Sequence, residues 1–225
     1  MADQRKRQLE RAAAAAPDDV QAQAALLLER LRVGELALGR VELAAYCGDP
    51  VARRVIYGHL PDWISPSHTH IRDDAYGRAW SVEPLPDWAS RLQSLWGREV
   101  CVRAAVTAAR LALPVWEEGN LAPHACFQSG AAISCAAPEQ HAPLEAIEAA
   151  ERWLEDQSEE NAQAAGDAAV AGLPRWAMIP AAGAYHPGVT NMHSGPVDAA
   201  ELVGEQAIRN AVQRALIEWT GVNRG

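Results

Sequence analysis

The sequence predicts an all-α fold, an antiparallel helical bundle or a short irregular helical solenoid with long loops. Three observations carry this. No segment alternates β-branched and polar residues over the length a half-buried strand needs. Several stretches instead repeat apolar residues at three and four positions, bounded by Asp, Ser, Gly and Pro where helices start and stop. The longest, Arg98 to Glu118 (REVCVRAAVTAARLALPVWEE), is alanine-dense with one narrow polar edge of Glu99, Arg103, Thr107 and Arg110. Such a pattern marks the axle of a helical domain.

Residues 3–16 read as a helix stopped at Pro17, and the segment 1–17 is expected to fray. Asp18 or Asp19 can cap a second helix through Leu26, Leu27, Leu28 and Leu31, ended by Gly34. Val41 to Tyr46 forms a short helix closed by Gly48, and Asp49-Pro50 then places a cap before a proline at the first helical position. Residues 58–86 lose all periodicity and read as a long irregular segment. Asp87 is expected to cap a helix carrying Trp88, Leu92 and Trp96, which Gly97 separates from the axle; Pro114 kinks or ends that axle. A second irregular segment, 119–141, follows. Leu144 to Glu155 is helical again, with Glu148 and Arg152 spaced for an i, i+4 pair. Ser158 can cap a weaker alanine-rich helix to about Ala171. The tail from Asp198 to Thr220 reads as one helix opened by an Asp198/Glu201 capping box and closed by Gly221. The whole chain, 1–225, is read as a single helical domain.

Composition narrows the function classes. Twenty basic against twenty-nine acidic residues give a net charge of −9, which repels phosphate backbones, so nucleic acid is not the expected partner. No run of eighteen apolar residues occurs and the start of the sequence lacks an apolar signal core, so no membrane association and a cytoplasmic location are expected. Four cysteines are too sparse for a disulfide framework, and Cys101 on an apolar helix would have its thiolate disfavoured by burial.

The runs ELAAYCGDPVARRVI, WGREVCVRAAVTAARLALPVWE and PLEAIEAAERWLE resemble uncharacterised alanine-rich helical proteins of myxobacteria and related bacteria. Residues 98–156 also resemble, more distantly, immunity proteins of bacterial polymorphic-toxin systems. In those, a Leu-Pro-aromatic-Glu helix end precedes a helix of alanines and glutamates carrying a tryptophan. The matching residues here are Leu113, Pro114, Trp116 and Glu117, then Ala146 to Ala150 and Trp153. The resemblance implies a protein partner and transfers no catalytic residue. The chain departs from it between the two helices, where a short acidic turn is replaced by EGNLAPHACFQSGAAISCAAPEQHA.

That stretch holds His124, Cys126, Cys135 and His141, two thiols and two imidazoles of the kind tetrahedral zinc accepts. Eight residues separate the cysteines, wider than the tight turns zinc modules use, and an unliganded loop is the competing reading. His68, His70 and Asp73 offer a weaker set, with a solvated polar turn as its alternative. Trp63, Trp80 and Trp88 cluster around the first irregular segment. Exposed, they would form a binding hot spot; buried, they would close the core at helix ends. His186 and His193 read as surface residues. No phosphate-binding loop, nucleophile elbow, zinc-protease or dinucleotide motif is present.

The sequence therefore favours a helical protein that binds another protein and neutralises a toxin, through its acidic surface and irregular loops. A non-enzyme is favoured and no cofactor is expected. The alternative is a metal-binding protein or metal-dependent enzyme using a His/Cys loop, with zinc as the metal. Nothing in the sequence fixes an oligomeric state.

Overall fold

Ten α-helices and no strand make up the described residues of the computed structural model, which are 2–58, 84–118, 142–169, 175–186, 192 and 194–223. The all-α fold class holds, with the bundle-like side-by-side packing of helices that the alanine-rich text predicts. The chain gathers into two compact units, Met1–Glu83 with Gln213–Gly225, and Pro84–Val212.

The first unit is built from α1 (Ala2–Ala15), α2 (Val20–Arg32), α3 (Leu38–Tyr46) and α4 (Pro50–Tyr57), with the end of the last helix of the chain. The helix starts follow the predicted chemistry. Asp19 caps α2 by accepting from the Gln21 N–H at 2.8 Å and the Ala22 N–H at 3.3 Å. Asp49 caps α4 by accepting from the Ala52 N–H at 2.7 Å, with Pro50 in the first turn. Leu27, Val41, Leu43, Tyr46 and Ile56 are buried in this unit. Its C-terminal segment is tied down by polar contacts. Arg30 donates to the Val222 and Gly221 carbonyls at 2.9 and 3.0 Å, and the Asn223 amide donates to Asp49 at 3.2 Å.

The second unit is organised by α5 (Leu85–Glu117), which packs against α6 (Ala142–Glu155), α8 (Arg175–Tyr185) and α9 (Ser194–Val203). The expectation of an axle is met. Ala104, Ala105, Ala108, Ala109 and Ala112 are all buried, and side chains this small let neighbouring helices approach closely. A Cβ added at Gly195 of α9 would lie 3.1 Å from Ile179 of α8 and 3.2 Å from Ala105 of α5, so three helices converge there. α7 (Glu159–Ala169) completes the unit against α6 and α8.

Several boundaries differ from the sequence reading, each for a local reason. α5 starts at Leu85 with Pro86 in its first turn, so Asp87 lies inside the helix and is not its cap. Gly97 does interrupt it, with φ 77° and ψ −165°, a conformation essentially reserved for glycine. Pro114 does not end it; α5 runs another turn to Glu117. α8 has no counterpart in the sequence reading, because Pro180 and Gly183 sit inside it and read as breakers. The tail is two helices rather than one. Gly204, at φ 90°, separates α9 from α10 (Glu205–Thr220), and Asp198 lies within α9, so the Asp198/Glu201 capping box does not form. α10 itself divides between the units after Val212.

Candidate functional surface

The polar edge of α5 faces α6. Arg103 pairs with Glu99 at 2.9 Å and donates to the Leu154 carbonyl at 3.3 Å, while the Thr107 hydroxyl donates to the Arg103 carbonyl at 2.8 Å. Arg110 forms a two-pronged pair with Glu151 of α6 at 2.8 and 2.5 Å. These side chains are a seam between helices.

Arg98 has a comparable role. Its guanidinium lies 4.4 Å from the Trp153 ring centre and donates to the Gly183 carbonyl at 2.6 Å and to the Ala184 carbonyl. One side chain thus joins α5, α6 and the carbonyl end of α8, where a cation is favoured by the helix dipole. Arginine also lies over Trp219 (Arg40, 4.7 Å) and over Trp88 (Arg209, 5.3 Å). Arginine stacked on tryptophan thus recurs in the packing of the described residues.

Trp88 is fully buried, so it closes the core and is not available as a partner's hot spot. Trp63, Trp80, His68, His70, Asp73, His124, Cys126, Cys135 and His141 lie outside the described residues, as does His193. His186 is exposed. Among the described residues no group of three or more His, Cys, Asp or Glu side chains is placed to hold a metal ion. Cys47 and Cys101 are free thiols and both are buried; burial pushes the Cys101 thiol up to about 12 and the Cys47 thiol higher still, so neither is a thiolate nucleophile.

The outward face of α6 and α7 concentrates charge. Ala146, Ile147, Ala150 and Trp153 of α6 and Ala165, Gly166 and Ala169 of α7 are buried. This leaves Glu145, Glu155, Asp156, Glu159, Glu160 and Asp167 exposed. Residues 142–169 hold eight carboxylates and one arginine, a net of −7. The second unit as a whole has seven arginines and sixteen acids, a net of −9, while the first has thirteen basic and thirteen acidic residues and is neutral. The chain's entire net charge therefore belongs to the unit that carries this face.

The turn between the two helices is held in place. Ser158 caps α7 by accepting from the Asn161 N–H at 3.3 Å, and the Asn161 amide donates to the Asp156 carbonyl at 2.9 Å and its carboxylate at 3.1 Å. Glu159 and Glu160 in the first turn of α7 complement its dipole. Glu155 and Asp156 do the opposite, adding negative charge at the carbonyl end of α6. Beside α7 lies Tyr185, half exposed, its ring pressed on Gly166: a Cβ there would come 2.5 Å from Tyr185 Cγ. No local signal in the sequence marks Tyr185, which ends α8 beyond Pro180 and Gly183. No family model, curated protein or solved structure matches the chain. No described helix is long and apolar enough to cross a membrane.

Proposed function

We propose that this protein binds a basic partner protein through the acidic α6–α7 face, with Tyr185 as an aromatic contact at its edge. The observation that carries the reading is the placement of charge. A net −9 confined to one unit, −7 of it on a 28-residue helix pair, creates a directional negative field. Two of those charges stand where the α6 dipole disfavours them. A charge set against a helix dipole is a local conflict of the kind that functional surfaces carry. A cationic protein surface is the complement that such a face attracts and orients.

The distant resemblance to immunity proteins supports a narrower form of the same reading, in which the partner is a toxin and binding covers its basic active surface. The test is pairwise mixing of the purified chain with toxin-like proteins encoded beside its gene, followed by titration calorimetry and a growth-protection assay. Binding that weakens with salt and is lost in a Glu155→Lys/Asp156→Lys/Glu159→Lys/Glu160→Lys variant is the expected result. Binding unchanged by those four reversals would remove the acidic face from the mechanism.

A further inference from the structure

Among the helices of the first unit, α1 is joined to its neighbour in a different way from the rest. Only Ala13 of its described side chains is buried, and it packs against α2 alone among the helices it substantially touches. Charge holds it instead. Lys6 donates to Glu35 and lies 3.6 Å from Glu10, and Arg5 lies 3.5 Å from Glu29 of α2. Gln23 adds one hydrogen bond to the Ala13 carbonyl at 2.9 Å. Glu29 keeps a second partner within its own helix, since Arg32 donates to it at 2.9 and 2.5 Å. α2 is likewise capped from its own side by Asp19. Neither the fold of α2 nor the neutralisation of Glu29 therefore depends on α1. Between the two helices, Pro17 and Asp18 form a short turn that supplies a pivot.

We propose that α1 is an electrostatic latch on α2, a helix that lifts away when its ion pairs with Glu29 and Glu35 are screened while the remainder of the first unit stays folded. The apolar effect that fixes the other helices is nearly absent at this contact, so its stability follows the ionic strength rather than the global stability of the protein. Lifting takes Arg5 and Lys6 away from Glu29 and Glu35, which keep Arg32 and Arg30 beside them. This device lies outside the acidic α6–α7 face and does not rest on the proposal made for it.

Hydrogen exchange of the full-length chain, read by mass spectrometry, tests the latch. Between about 20 mM and about 500 mM sodium chloride, α1 amides should exchange roughly tenfold faster while α2 and α4 amides are unchanged. Glu35→Gln should speed α1 exchange at low salt and flatten its salt dependence, a change in slope that loss of packing alone would not produce. Exchange of α1 that is independent of salt overturns the proposal. So does exchange in which α1 and α2 lose protection together, since α1 would then belong to the cooperative fold.

Discussion

At the scale of single residues, Arg98 of α5 reaches two further helices, α6 and α8. It stacks on Trp153 and satisfies two carbonyls at the end of α8. Arg98→Ala removes the stacking and leaves those carbonyls unpaired, an expected loss of about 2–4 kcal/mol in urea unfolding followed by tryptophan fluorescence. Arg98→Lys should recover only part of it, because an ammonium cannot both lie flat on the ring and fork to two acceptors. The thiols make a separate prediction. Cys101 stays protonated in the fold up to about 12, whereas it ionises near 9.0 when unfolded. Between those values the folded state binds more protons than the unfolded state. The stabilisation is thus complete below about pH 9 and is lost as the pH rises toward 12. Denaturant unfolding across that window should show stability falling with pH, and less steeply in Cys101→Ala. Native Cys101 should also resist alkylation at pH 8, as mass spectrometry would read.

At the scale of elements, the helix boundaries show what a sequence can reveal. Asp19, Asp49-Pro50 and Ser158 announce their helices because a cap acts on the backbone within three residues of itself. Helix α8 has no signature in the sequence because its reason to exist is not local. Met178 to Ala184 crosses Pro180 and Gly183, and the segment is helical because buried Trp176, Ala177, Ile179 and Ala181 pack in the second unit. Gly204 does not read as a break in the sequence, since apolar residues keep helical spacing on both sides of it. The buried role of Trp88 was also open in the sequence, because a helix-end tryptophan has the same text whether it faces solvent or core. The acidic face was legible only as a net charge; its confinement to one unit needed the fold. Two glycines separate the physical causes at this scale. Gly97→Ala meets nothing within 4 Å, so its cost, on the order of 1–3 kcal/mol, arises from backbone conformation alone. Gly166→Ala has ordinary backbone geometry but collides with Tyr185, and should cost about 1–3 kcal/mol. Adding Tyr185→Ala should return most of the second loss and none of the first, a double-mutant cycle measurable by urea unfolding.

At the scale of the whole molecule, the charge distribution sets stability against recognition in a way one variant can separate. Glu155 and Asp156 close α6 with negative charge where its carbonyl dipole is already negative, and the residues around them supply further carboxylates with one arginine between. If the face served the fold alone, these positions would favour lysine or a neutral side chain. Glu155→Lys with Asp156→Asn removes three units of negative charge, two at the first position and one at the second. The asparagine keeps a side-chain oxygen to accept from Asn161. Relief of the dipole conflict and of like-charge repulsion should raise stability by about 0.5–1.5 kcal/mol at low salt, and this gain should shrink as salt screens it. The same variant should bind a basic partner more slowly, with the association rate reduced about 3–30-fold at low ionic strength and the dissociation rate little changed. Thermal unfolding and stopped-flow association on one protein preparation measure both. A variant that gains stability and loses association rate has the signature of a surface held against its own fold by a partner. A variant that gains stability while binding as fast as the parent would assign the recognition to another part of the molecule.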